Sequence, residues 1–316
     1  MKFPVFDLHC DTALALLGES LREMGSMRKN NCHIDLERAK TLPGYAQCFA
    51  CFTTPWEKLP DGMTVAQLFE HEMVTVLREV ESNRDLIEQA YTATDIKALH
   101  AKGKMAAILT IEGPAGFDFD PELLGDLYNV GFRISTLGWN EQNPLCGSHR
   151  TGGGLTEKGR EYVFEAQRLG MLIDVSHISD EAFWDIMEIT NAPIIASHSN
   201  SRAVYDVSRN LTDDMFKAIC KTGGVAGLNL YTRFLGENAT LDTACDHILH
   251  FMEQGGAKHI ALGGDLDGCE ELPVGFAGVQ DYPRLAEALL QRGLTEQEVM
   301  DIYWNNALGV IEKCCM

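Results

Sequence analysis

Positive charge is scarce in this chain: 26 Lys and Arg stand against 46 Asp and Glu, giving a net charge of −20 over 316 residues. So acidic a protein repels phosphate backbones and anionic bilayers, which argues against nucleic acid and membrane surfaces as partners. Long apolar runs are missing too, and none approaches a transmembrane helix. Residues 1–7 pass straight into a strand, without the apolar core or cleavage signal of a secretory leader. The ending Cys314-Cys315-Met316 puts no cysteine fourth from the end, so it is not a prenylation box. A cytoplasmic location is the expectation.

There is no disulfide framework either. The ten cysteines are scattered and sit mostly in apolar runs, the pattern of reduced, buried thiols. Cys48 and Cys51 form a Cys-x-x-Cys, but they fall in a run that reads as a strand. Residues three apart on a strand point to opposite faces and cannot chelate one ion. Nor is there a composition break, a low-complexity linker or an internal repeat that would divide the chain.

What is present is alternation. Apolar runs recur at residues 3–8, 45–52, 105–111, 132–137, 171–175, 193–196, 224–230 and 259–262, eight in all. Between them lie segments with helix-start signals at Thr64, Thr94-Asp95, Asp120-Pro121, Thr156, Ser179, Thr212 and Thr240, and glycines at the stops. Thr295 to Glu298 is a capping box opening a C-terminal helix pair. Eight strands alternating with helices predict an α/β fold, a single (β/α)8 TIM-type barrel over residues 1–316 with additional C-terminal helices. The competitor, a doubly wound open sheet, would carry a glycine-rich phosphate loop after its first strand. Leu8-His9-Cys10-Asp11-Thr12 stands there instead.

Two strands end abruptly in histidine, at Asp174-Val-Ser-His177 and Ala196-Ser-His198, with one amphipathic segment between them. Such a βαβ unit has parallel strands, so both imidazoles arrive at one sheet edge, where a divalent metal suits them. In a barrel that edge is the catalytic face. The same edge receives His9 and Asp11 from the first strand, Glu112 from the third, and Asp265 with Asp267 from the last. His9 and Asp11, two apart on extended backbone, can hold one ion, and His177 with His198 a second. Glu112 has two oxygens and could bridge them, giving a two-metal site that activates water near neutral pH. Mixed imidazole and carboxylate donors point to zinc, with manganese, cobalt or iron as alternatives. Taken singly each residue has a plainer reading, as a strand cap, a turn or a chance His-x-Asp; joint placement at one rim lifts them. The remaining histidines, His33, His71, His100, His149, His247, His250 and His259, are expected mainly at the surface.

The motif set resembles the membrane (renal) dipeptidase family of zinc metallopeptidases, amidohydrolase-type barrels. The resemblance rests on Asp-Leu-His9-Cys-Asp11, Ile-Glu112-Gly, Ile-Asp-Val-Ser-His177, Ala-Ser-His198-Ser, Ser-Arg209-Asn and Gly-Gly-Asp265-Leu-Asp-Gly, in that order along nearly the whole chain. It implies two zinc ions, held by His9 and Asp11 and by His177 and His198, with Glu112 bridging. It further implies that Arg209 takes the substrate's terminal carboxylate and that Asp265 serves the scissile amide. One departure stands out: many members carry a histidine after the fourth strand, and here Trp139 occupies that place. Carbonyl polarisation then falls to the metals, with Asn140 as a candidate helper. The expected activity is hydrolysis of small dipeptides, including ones with a D-residue at the carboxyl end. The rival readings are an amidohydrolase of another compact amide, such as an N-acyl amino acid or lactam, and a non-catalytic metal-containing barrel. A homodimer is compatible with the sequence.

Overall fold

The computed structural model describes residues 3–18, 21, 25–55, 58–60 and 62–315. Met1, Lys2 and Met316, at the two ends considered above, lie outside the described residues. Among the described residues eleven strands occur, in chain order β1 (Val5–Cys10), β2 (Tyr45–Phe52), β3 (Ile87–Gln89), β4 (Met105–Glu112), β5 (Phe132–Thr136), β6 (Cys146–Ser148), β7 (Gly152–Leu155), β8 (Leu172–Asp174), β9 (Ile194–Ile195), β10 (Ala226–Leu228) and β11 (Ile260–Leu262). Eight of them form a parallel sheet in the order β10-β11-β1-β2-β4-β5-β8-β9. The two ends of that path meet at one parallel bridge, Ala196 to Ala226, with Ala196 N donating to Val225 O at 3.0 Å. The result is a nearly closed eight-stranded barrel.

Two features went unread in the sequence. Short β3 pairs with the start of β4 outside the barrel path. β6 and β7 make an antiparallel hairpin in the connection after β5. Both are too short and too glycine-rich or polar to show a period of two.

The interior is legible from the packing. One buried cluster takes Phe6 and Leu8 from β1, Ala46 and Cys48 from β2, Ala106 and Ile108 from β4, and Ile134, Leu172, Ile195 and Ala261 from further strands. A set drawn from alternate positions right round the sheet fills the barrel's inside. The C-terminal helix closes this cluster with Trp304, Ala307, Leu308 and Ile311. A larger cluster holds the opposite strand faces, Val5, Phe49, Cys51, Leu109 and Ile173 among them, against the surrounding helices. Cys48 and Cys51 thus fall on opposite faces of β2, as the strand reading requires, and all ten cysteines are free.

Most helix starts are where the caps predict. Thr64 and Gln67 form a capping box before helix Val65–Ser82, and Thr156 and Ser179 cap the helices Glu157–Leu169 and Asp180–Ile189. The helix expected at Thr94-Asp95 starts earlier. Thr92 is its N-cap and Asp95 closes the box, because the cap needs the hydroxyl three residues before the acid. Asp120-Pro121 opens a short 3-10 turn, Pro121–Leu123, before helix Leu124–Val130. Thr295 and Glu298 do form a box. Beyond it the chain makes one helical run to Cys314 with a π-turn at Asp301–Asn305, rather than a pair of helices. No helix among the described residues is long and apolar enough to cross a membrane.

Candidate metal and substrate site

The first strand delivers two donors through a kink. Register shifts between Asp7 and Cys10, and Asp11 has already left the strand, with φ −106° and ψ 28°. The same-face argument for His9 and Asp11 therefore fails in detail, because Asp11 begins a helical turn. The two still converge, with His9 Nε2 at 3.4 Å from Asp11 Oδ2. Below them Asp7 is a buried tie: its Oδ1 accepts from His9 N and from Gly264 N, both at 3.0 Å. One carboxylate thus fastens the end of β1 to the loop that carries Asp265.

Glu112 ends β4, and its turn is set by Gly113 at φ 78°, where a Cβ would lie 2.2 Å from Thr53 O. Its two oxygens face different partners. Oε2 lies 3.3 Å from His9 Nε2, whereas Oε1 lies 3.0 Å from His177 Nε2 and 3.6 Å from His198 Nε2. The Nε2 atoms of His177 and His198 approach to 2.9 Å, and the rings of His9 and His198 stack at 3.8 Å. Five side chains from four strand ends meet in one buried cluster.

Two of the imidazoles are held from behind, as metal-binding histidines require. His198 Nδ1 lies 2.6 Å from Ser197 Oγ, which in turn donates to Asp174. Asp174 Oδ1 also accepts from Ser176 N and Ser197 N, each at 2.9 Å. His177 Nδ1 lies 3.2 Å from Asn140 Oδ1; an amide oxygen only accepts, so Nδ1 carries the proton and Nε2 is free to ligate. His177 and Asp265 have φ of 73° and 56°, a strained conformation for residues with a Cβ and one that clusters at functional sites.

Asp265 is buried beside the cluster. Its Oδ2 accepts from Asn229 Nδ2 at 2.9 Å and its Oδ1 faces His9 Nε2 at 3.9 Å. Asp267, expected beside it, instead staples loops: its Oδ2 accepts from Thr12 Oγ1 at 2.6 Å and its Oδ1 from His33 N. Arg209 is only 4% exposed; its guanidinium donates to Ser199 Oγ at 2.6 Å and to His198 O at 3.0 Å. Its Nε is buried without an acceptor among the described residues. A cavity of about 320 Å³ opens over the cluster, lined by Asp11, Glu112, His177 and Asp265 and walled by Phe52 and Trp139. Those two rings meet edge to face at 5.1 Å.

Whether a metal fits can be judged from the donors themselves. His9 Nε2 and Asp11 Oδ1 are buried with no hydrogen-bond partner among the described residues, and an imidazole nitrogen and a carboxylate oxygen left so are free to ligate an ion. Two triplets, His9 with Glu112 and His198, and His9 with Asp11 and Asp265, have donor atoms all within 4.8 Å of one another. Burial holds the His177 and His198 imidazoles well below their ordinary range, so both are neutral ligands at pH 7. Burial would do the same to His9, but Glu112 and Asp11 outweigh it and push the imidazole well above its ordinary range. The Glu112 carboxyl is lifted by burial to about 7, against the pull of His9. The residues fit divalent ions.

Metal binding at this site should depend on pH. Below about 7 the metal-free site carries a proton on Glu112, beside the one that its carboxylates favour on His9, and binding must displace both. Metal affinity should therefore fall as pH drops through 7, by up to about tenfold per unit for each proton displaced. Competition titrations with a chelator at pH 6, 7 and 8 check this, and an affinity flat across that range would contradict it.

Several supporting residues were not read from the sequence. Asn229 and Asp174 orient Asp265 and His198, yet nothing in their spacing sets them apart from other buried polar residues. His149, expected at the surface, stands behind the cavity residue Asn140: its Nε2 is 2.8 Å from Asn140 Oδ1 and its Nδ1 is 2.9 Å from Ser208 Oγ. His247 is fully buried, tied to Ser201 N and Leu235 O. An Asp two residues before a strand-end histidine, as at Asp7-Leu-His9, was the one available signal of a supporting partner.

A parallel barrel gathering imidazoles and carboxylates at the carboxyl ends of its strands places the protein among the metal-binding barrels. The chain belongs to the membrane dipeptidase family, peptidase family M19, whose sequence profile matches residues 1–315. It is 34% identical over 257 residues to an uncharacterized dipeptidase of Schizosaccharomyces pombe, covering 76% of this chain and 63% of that protein. It thus spans less than two thirds of that relative's length. The crystal structure of the dipeptidase AC, an M19 metallopeptidase, superposes with a TM-score of 0.89 at 28% identity, over 100% of this chain and 99% of the other. A metallopeptidase from Rhodobacter sphaeroides, liganded with a phosphinate mimic of the dipeptide L-Ala-D-Ala, superposes with a TM-score of 0.87 at 26% identity, over 99% of each chain.

Proposed function

We propose that the protein is a two-metal dipeptidase that hydrolyses the amide bond of small dipeptides, including those with a D-residue at the carboxyl end. The observation that carries the reading is Glu112, whose two oxygens face His9 on one side and His177 with His198 on the other. Its carboxylate would hold two divalent ions, with His9 and Asp11 as further ligands on one side and His177 and His198 on the other. Bound there, two divalent ions, zinc by donor type, supply Lewis acidity that lowers the pKa of the attacking water and polarises the scissile carbonyl. Asp265 takes the proton of that water and passes it to the leaving amine, with Asn229 fixing its other oxygen. Arg209 takes the terminal carboxylate: it is a buried cation with no carboxylate partner among the described residues and an unused Nε. Trp139 and Phe52 give one wall of the cavity an apolar face for a compact side chain. The dipeptide mimic bound by the Rhodobacter sphaeroides relative supports the substrate class.

The test is a matched pair of substrates, a free dipeptide and its amide. A charge-assisted hydrogen bond contributes about 1.5–3 kcal/mol, or roughly ten- to a hundredfold in kcat/KM. Arg209→Ala should lower turnover of the acid by about that factor, keep its metals, and leave the already poor amide unchanged. Equal loss on both substrates, or on neither, would remove Arg209 from carboxylate reading and favour an amidohydrolase of another compact amide.

A further inference from the structure

The turn joining β6 to β7 presents a cation that the steps above leave without a task. Arg150 lines the cavity together with Trp139, Asn140 and His177. Its guanidinium makes no hydrogen bond or ion pair with any described residue, and its only polar contact is through its backbone N. The other arginine of the cavity wall, Arg233, is already engaged, 4.0 Å from Glu270 and over the Tyr231 ring at 5.4 Å.

The backbone under Arg150 is fixed to the site. Ser148 Oγ accepts from Arg150 N at 3.2 Å and donates to Asn140 O at 2.7 Å. His149 N donates to His177 O at 2.8 Å. The His149 ring then reaches Ser208, the residue before Arg209. Arg150 and Arg209 therefore flank one junction, and the charges of both push the same His149 imidazole down, after burial. In a chain of net charge −20, a dipeptide with two carboxylates, net −1 with its amino group protonated, is repelled unless a local cation offsets the field.

We propose that Arg150 selects dipeptides whose carboxyl-terminal residue has a carboxylate side chain, Asp or Glu. The proposal rests on the dipeptidase reading, with Arg209 on the main-chain carboxylate. Arg150 lines the cavity from a turn whose His149 reaches the residue before Arg209, so a terminal residue held by Arg209 would extend its side chain toward Arg150, whose planar fork matches a second carboxylate. Arg150 is exposed, so the expected effect lies between that of a surface ion pair and a buried one, about three- to tenfold.

The experiment measures kcat/KM of the metal-loaded enzyme on Ala-Asp against Ala-Asn and on Ala-Glu against Ala-Gln, in the configuration the enzyme prefers. The native protein should favour the acidic member of each pair. Arg150→Gln should lower the acidic substrates about three- to tenfold, leave the neutral ones within about twofold, and so abolish the preference. Arg150→Lys should retain part of it, as a charge without the fork. Cleavage of all four substrates without preference in the native enzyme, or an equal loss on acidic and neutral substrates in Arg150→Gln, overturns the proposal alone. A native enzyme that cleaves none of them overturns the dipeptidase reading itself, and this selectivity with it.

Discussion

Asp265→Asn should reduce kcat by about a hundred- to ten-thousandfold, the usual worth of a positioned general acid/base, while both metals stay bound. The amide keeps the size of the carboxylate and can still meet Asn229 after a flip, so the buried position is filled. What it loses is the capacity to accept a proton from water and return it to the amine. Burial raises the Asp265 carboxyl above the ordinary carboxylate range, which brings it closer to the pH at which it must do both. The measurement is kcat alongside metal content. A variant that loses its metal in parallel with its activity would make Asp265 a ligand, as its place in a triplet with His9 and Asp11 allows.

The second large effect concerns the bridge. Glu112→Gln replaces one of two anionic oxygens by an amide nitrogen, which cannot ligate a cation. Because Oε1 and Oε2 face different imidazoles, the change should weaken both ions together. Loss of a mere supporting partner already weakens metal binding about 10- to 100-fold, so affinity here should fall by more than about a hundredfold. Activity at ordinary metal concentrations should disappear. Binding isotherms for the native protein and the variant read this directly. A variant that loses one ion and keeps the other at native affinity would show that Glu112 serves a single site.

The site was legible to the extent that it lies at strand ends. His9, Glu112, His177 and His198 each close an apolar run, and a parallel barrel brings all such ends to one rim. Distance along the chain did not matter, because the fold supplies the convergence. Much of what stayed hidden came from loops. The hairpin carrying His149 and Arg150 has strands of only a few residues, and its place over His177 depends on hydrogen bonds that no periodicity announces. Asp11 reaches His9 through a kink at the end of β1, not along the straight strand that a spacing of two implies. Supporting residues such as Asn229 and Asp174 are buried and polar like many others, and only their partners identify them.

The bridged pair of ions is the centre of the account, and metal stoichiometry against activity tests it most directly. Metal-stripped protein should be titrated with zinc while bound metal and dipeptide turnover are followed together. The account predicts that turnover rises to its plateau only as the second ion per chain is bound. Full activity at one ion per chain would contradict it.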